Sequence, residues 1–292
     1  MSTTTQQSAL RFEVNETGIA TLWLDAEGKS VVVLDRNGIQ RLNSTIDLIE
    51  KQTEITGLVL RSDCDRVFVA GADLKEIDGL SDQGLHAYLA FGTTVFGRIA
   101  SLPYPTVACL NGATLGGGLE IAMHCDGLVA SKHTSGGKGY SIGLPEAKLG
   151  LCPGWGGTQM LPARIDPETA MIATATGTLF DSLDLPDGLV DVLVDTPDDL
   201  QEAAETWLQQ ANASDSTPTA INPADAETYS TALETAKANT DETEASQGVF
   251  HAIEIGITSG WAAAVAVEQC ELVRLRNTST AREKLDAFLS KG

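Results

Sequence analysis

Glu120 sits where an ionisable group is least expected. In NGATLGGGLEIA, Asn111–Ala122, three glycines precede it and Leu119, Ile121, Ala122 and Met123 surround it, a pattern that promises burial. Burial raises the pKa of a carboxylic acid and makes it able to trade a proton near neutral pH. Gly116, Gly117 and Gly118 allow positive φ and let a ligand reach the backbone N–H groups with no Cβ in the way. Where such a turn opens a helix, the unpaired amides and the helix dipole favour an anion, or an oxygen that becomes one. Taken alone, the triplet serves equally well as a tight strand-to-helix turn. No lysine follows as in a GxxxxGK[ST] phosphate loop, and GxGxxG is not matched.

Two further stretches run an apolar strand into a turn of small residues: VFVAGADLKEI, Val67–Ile77, and IGLPEAKLGLCPGWGGTQMLP, Ile142–Pro162. The second carries Glu146 directly after Pro145. By itself Glu146 reads as a helix-start glutamate favoured by the dipole, and Glu120 as a first-turn carboxylate paired with a neighbour. His124 lies four residues after Glu120, on the same helical face. With no further ligand nearby the pair reads as a hydrogen-bonded core histidine, and no metal site is expected.

The elements that must position these residues follow from periodicity. After about eight floppy residues, LRFEVNETGIATLWLD alternates apolar and polar side chains across Gly18, which predicts a hairpin, and SVVVLD makes a third short segment. Ile39, Leu42, Ile46 and Ile49 predict a helix over Asp35–Thr53. TGLVLRS has the continuously apolar look of a buried parallel strand, and the order recurs. A helix over Ser81–Ser101, a strand in PTVACLNG, a helix from about Gly118 to Cys125 and a strand in DGLVAS make an α/β fold with crossover helices. After Pro162 strands fade, apart from GLVDVLVD, and helical patterns dominate. Asn212–Asp225 reads as a loop, and the closing segment as two amphipathic helices separated near Asn277. The division expected is a core over 9–195 and a mainly helical region with an acidic linker over 196–292.

With 292 residues, 42% of them hydrophobic, the chain has enough apolar material for a substantial core. Forty acidic against nineteen basic residues leave a formal charge of -21, which repels nucleic-acid phosphates and anionic membranes, so neither is an expected partner. Five scattered cysteines with no CxxC pair suggest neither a disulfide framework nor a zinc site. The start lacks a basic n-region and an apolar h-region, and no stretch of about 18 apolar residues occurs, so a cytoplasmic location is expected.

In combination, AGADLKEI, NGATLGGGLEIAMHCD and GLPEAKLGLCPGWGGTQMLP, in that order, resemble the crotonase (enoyl-CoA hydratase and isomerase) superfamily. The resemblance runs from LWLDAEGKSVVVLD to AREKLDAFLSK, apart from the acidic stretch after Asp195, and GKSVVVLD and IGLPEAKLG look most like the hydratase half of bifunctional fatty-acid oxidation enzymes. It implies a spiral of ββα turns with two roughly perpendicular sheets, and a helical C-terminal region that builds trimers or hexamers. It implies an acyl-CoA substrate whose thioester oxygen lies between the amides of Ala72 and Gly117, with Glu120 and Glu146 as the catalytic glutamates of a hydratase. It places Ala72, Asp73, Leu74 and Lys75 along the pantetheine and adenine path, Lys29 with Val31, Val32 and Val33 on the opposite wall, and Ala70, Gly71, Gly116 and Pro145 against the CoA or substrate, with Trp155 near the acyl end or simply filling the core. Lys29, Arg36, Lys75 and Lys148 are the candidate cations for the CoA phosphates. No cofactor is implied beyond the coenzyme A of the substrate, and a separate 3-hydroxyacyl-CoA dehydrogenase is a candidate partner. A Δ3,Δ2-enoyl-CoA isomerase, which needs only Glu146, is the alternative, and a silent scaffold a distant third. One departure from the family pattern is SKHTSGGKGYSIGLPE, longer than expected, whose glycines at 136, 137 and 139 could reshape or gate the acyl pocket.

Overall fold

The computed structural model describes residues 9–212 and 218–290. The floppy start assigned to residues 1–8 and the middle of the expected Asn212–Asp225 loop lie outside the described residues. The alternating segment folds as an antiparallel pair, β1 (Phe12–Val14) and β2 (Ile19–Leu24). The third short segment pairs through a single bridge: Leu34 pairs with Ala72, Leu34 N–H donates to Gly71 O at 2.9 Å, and Ala70 N–H donates to Val32 O at 2.9 Å. Helix α1 (Arg36–Ile49) follows, capped by Asp35, which accepts from Gly38 N–H at 2.6 Å, and it buries Ile39, Leu42, Ile46 and Ile49 as their spacing predicts.

Two strands and a helical element then alternate. β3 (Gly57–Ser62) and β4 (Val67–Val69) lead to α2 (Leu74–Gly79) and α3 (Asp82–Ala100). β5 (Thr106–Leu110) and β6 (Ala113–Leu115) lead to α4 (Gly117–Met123). β7 (Gly127–Ser131) and β8 (Ser141–Gly143) lead to a 3-10 turn at Glu146–Leu149, then α5 (Gly157–Arg164) and α6 (Pro167–Thr176). The first strand of each pair joins one sheet, of order β1-β2-β3-β5-β7 and closed by β10 (Val192–Val194). The second joins another, β4-β6-β8, closed by β9 (Leu179–Asp181). Within the larger sheet all neighbours beyond β1 are parallel, and β4, β6 and β8 are parallel to one another.

The long strands are apolar on both sides because both faces are covered. Leu58, Leu60, Ala108 and Leu128 face the main core, while Ile19, Val59, Val107, Cys109 and Val129 pack under Leu200, Ala204 and Leu208 of α7 (Leu200–Gln210). The C-terminal region holds α8 (Ala226–Ala238), α9 (Glu244–Ser259), α10 (Trp261–Arg276) and α11 (Ser279–Leu289). The two helices expected there are thus three: besides the break at Asn277 there is one at Gly260, whose φ of +78° no helix accommodates. The long link before β8 closes on itself, with Thr134 N–H bonded to Lys138 O and Tyr140 Oη donating to Leu110 O and Ser131 O.

Gly97, inside α3, has open space where a Cβ would stand. Gly97→Ala is expected to stabilise the protein by about 0.5–1 kcal/mol, since alanine loses less conformational freedom on entering a helix. Denaturant unfolding of the two proteins measures it.

Candidate active site

β4, β6 and β8 are three-residue neighbours running in one direction, so their C-terminal ends emerge side by side. Each end carries one of the three stretches singled out in the sequence: Ala70-Gly71-Ala72 after β4, the glycines after β6, and Pro145-Glu146 after β8. Loops at the carboxyl ends of adjacent parallel strands are where a ligand meets the most backbone and the least packing. A cavity of about 240 Å³ lies there, lined by these three turns and by apolar side chains including Leu74, Ile77, Leu89, Leu151 and Leu272.

On its wall, the Ala72 and Gly117 amides come together: a Cβ built on Gly117 would lie 3.4 Å from Ala72 N, and one on Gly71 3.9 Å from Gly117 N. Gly117 opens α4, so its N–H precedes the first intrahelical bond, and the Ala72 N–H has no backbone acceptor among the described residues. Two adjacent free amides at a helix start form a receptor for an oxygen that gains negative charge. Gly116 has to be glycine twice over, with φ +53° and Glu146 Oε1 only 2.4 Å from where its Cβ would be.

Glu120 and Glu146 both line this cavity. Glu120 is buried, and its Oε1 accepts from Trp155 N–H at 2.7 Å and Gly157 N–H at 2.9 Å. Burial, and after it the nearby Glu268 and Glu146 carboxylates, push Glu120 well above the ordinary glutamate range, with the two amides pulling the other way. Glu146, partly open to the cavity, keeps Oε2 enclosed without a partner and is pushed up to about 7 by burial. Glu146 is therefore poised to exchange a proton near neutral pH, and Glu120 holds its proton more tightly than an ordinary glutamate.

A family model described as enoyl-CoA hydratase/isomerase matches residues 16–255. The chain belongs to that family. It is 37% identical over 173 residues to the fatty acid oxidation complex subunit alpha of Idiomarina loihiensis, covering 59% of this chain and 24% of that one, so it spans about a quarter of that relative's length. Among solved structures, an enoyl-CoA hydratase from Geobacillus kaustophilus matches at 25% identity and a TM-score of 0.61, over 98% of this chain and 96% of that one. The human mitochondrial delta3-delta2-enoyl-CoA isomerase matches in fold at 21% identity and a TM-score of 0.70, over 97% and 98%. The two-sheet core and the helical C-terminal region are those of the crotonase fold.

Of the site residues expected from this family, Ala70, Gly71, Ala72, Leu74, Gly116, Gly117, Glu120, Pro145, Glu146 and Trp155 all line the cavity. Lys29, Val31, Val33, Asp73 and Lys75 are not part of its lining. The Val31–Val33 segment runs beside the Ala70–Ala72 turn, and Lys29 is held by Asp35 at 2.5 Å and Asp73 at 3.3 Å. Asp73 also caps α2 by accepting from Lys75 N–H at 2.9 Å. Lys148 reaches the cavity. Trp155 both lines the cavity and fills the core, with Nε1–H donating to Leu89 O at 3.0 Å and edge contacts to Tyr88 and Phe96. None of the residues in the long link before β8 lines the cavity.

His124 is buried between Phe96 and Trp261, with Nδ1 2.8 Å from the Glu120 main-chain O, and burial lowers its pKa to about 4. It is a neutral core histidine that helps hold α4. The residues missed in the sequence come from the C-terminal helices: Leu272 and Phe288 line the cavity, and Glu268 is a second fully buried carboxylate beside Glu120. Its signal was its place on the buried stripe of α10, four residues from both Ala264 and Leu272. Among the described residues no helix is long and apolar enough to cross a membrane.

Proposed function

We propose that this protein adds water reversibly to 2-enoyl-CoA thioesters. The observation that supports this reading best is the meeting of two proton-exchanging carboxylates, Glu120 and Glu146, in one apolar cavity beside the Ala72 and Gly117 amides. The thioester oxygen accepts from those amides, which stabilises the enolate formed as the C3–O bond is made. Glu120, ionised, takes a proton from the attacking water, and Glu146, protonated, delivers one to C2. Water is the only co-reactant, and coenzyme A enters as part of the substrate. Return to the starting state needs only proton exchange with solvent.

The active form carries one proton on the Glu120–Glu146 pair. Hydration and dehydration use the two tautomers of that form, so both directions share one bell-shaped pH profile. The name of the Idiomarina relative supports a place in fatty acid oxidation, where a 3-hydroxyacyl-CoA dehydrogenase would consume the product and self-assembly into trimers would fit the family.

A second reading rests on the strong upward push on Glu120. Held as the neutral acid, it would supply no base for water, and Glu146 alone would move a proton between C4 and C2, as a Δ3,Δ2 isomerase requires. Glu120→Gln separates the two. A fall of roughly a hundredfold or more in crotonyl-CoA hydration is expected. Unchanged hydration would overturn the hydratase mechanism, and 3-enoyl-CoA isomerisation that survives at full rate while the wild type hydrates poorly would establish the second reading.

A further inference from the structure

Trp155-Gly156-Gly157-Thr158 presents four successive amides to two carboxylates by turns. Trp155 and Gly157 N–H donate to Glu120 Oε1. Gly156 N–H donates to Glu268 Oε2 at 2.6 Å, Thr158 N–H to Glu268 Oε1 at 2.8 Å, and Thr158 Oγ1 to the same oxygen at 2.5 Å. The turn opens α5, so these are amides without intrahelical acceptors, and two buried acids from distant parts of the chain share them. Its shape needs glycine: Gly156 has φ +98°, and its Cβ would strike the Trp261 ring at 2.1 Å. Glu268 is completely buried on α10, has no lysine or arginine ion-pair partner among the described residues, and does not line the cavity.

We propose that Glu268 is a positioning residue for the reaction: it fixes the 155–158 turn from the C-terminal side, so that the turn's alternate amides seat Glu120 against the substrate cavity. This rests on the hydratase reading. A buried acid serving only to join α10 to α5 could be replaced by apolar packing with little loss, whereas this one spends three donors in the layer directly behind Glu120. The ionisable groups bearing on it are Glu120 from α4, Glu146 from the 3-10 turn and Cys152 from the segment before α5. Glu271, on the same helix, is engaged by His251 and Arg274. Lys148 lines the same cavity, but among the described residues no cation forms an ion pair with any of the three acids, so charge on Glu268 makes Glu120 and Glu146 hold their protons more tightly, and burial pushes Glu268 itself up to about 7. The α10 helix thereby helps decide how one proton is shared in the pocket.

The test is Glu268→Gln in the full chain, with kcat and KM for crotonyl-CoA measured from about pH 5 to about pH 9, and the infrared band of protonated carboxyl groups titrated over the same range without substrate. Removing a neighbouring negative charge lowers the pKa of the acids that remain, so both limbs of the profile and the infrared titration are expected to move to lower pH by about one unit. A kcat roughly tenfold lower with KM within about twofold is expected as well. A purely structural role would lower kcat without moving the limbs. Thr158→Val removes one donor to Glu268 and touches Glu120 through no side-chain atom, and makes Glu268 harder to ionise; it is expected to shift the limbs in the same sense. The proposal is overturned if a folded Glu268→Gln, or Thr158→Val should the first not fold, keeps the limbs and the infrared titration of the wild type. A wild type that hydrates no 2-enoyl thioester overturns the functional reading instead, and the substrate-free infrared titration then decides whether Glu268 governs the proton on the pair.

Discussion

Glu146→Gln is expected to lower turnover of a 2-enoyl-CoA thioester by roughly a thousandfold, with KM changed by no more than about threefold. The amide keeps the size of the acid and its place over Gly116, so substrate still binds, but it can neither deliver a proton to C2 nor take one back. Glu146 faces the cavity with an unpartnered Oε2 and is pushed up to about 7, so it is the group best suited to cycle between its two forms at neutral pH. The residual rate should lose the bell shape, because the active form no longer depends on a proton shared with Glu146. Initial rates against pH for the wild type and the variant measure this. A variant retaining a tenth of the wild-type rate or more would show that C2 is protonated by another group. Under either reading of the function Glu146 is needed, which makes this the largest effect expected from a single side chain.

The local parts of the site are legible in the sequence itself. Gly116–Gly118 with Glu120, Ala70–Ala72, and Pro145-Glu146 each carry their signal within a few residues, as small or special backbone next to an apolar strand. β3, β5 and β7 were legible because a strand covered on both faces is apolar throughout. What escaped depends on partners distant in sequence. Glu268 looks like one polar residue in AVAVEQCELV, and only the fold brings it to amides more than a hundred residues earlier. Lys29 reads as a free cation because nothing local announces that Asp35 and Asp73 converge on it. Gly260 reads as part of a longer helical pattern, since a single glycine is often tolerated in a helix and its positive φ is fixed by tertiary packing.

Gly118→Ala tests whether the placing of α4 against β4 makes the oxygen receptor. Gly118 is in the first turn of α4, and a Cβ there would stand 2.3 Å from Val69 O and 3.0 Å from Val69 C. These are backbone atoms of β4, so no rotamer change relieves the clash; helix and strand have to separate. Alanine's better helix propensity returns at most about 1 kcal/mol, and a forced shift in a packed interior costs about 1–3 kcal/mol, so a net loss of stability is expected. The larger consequence is for catalysis. Val69 leads directly to Gly71-Ala72 and Gly118 follows Gly117, so the displaced contact lies between the two amides that must converge on one oxygen. Loss of one such donor costs on the order of 3 kcal/mol of transition-state stabilisation, which corresponds to a fall in kcat of roughly a hundredfold or more. Denaturant unfolding gives the folded fraction by which the measured rate is corrected. If the corrected kcat matches the wild type, the Ala72 and Gly117 amides do not act together on the thioester. Gly97→Ala, made in open space on α3, supplies the contrasting case of the same substitution with gained stability and unchanged kcat.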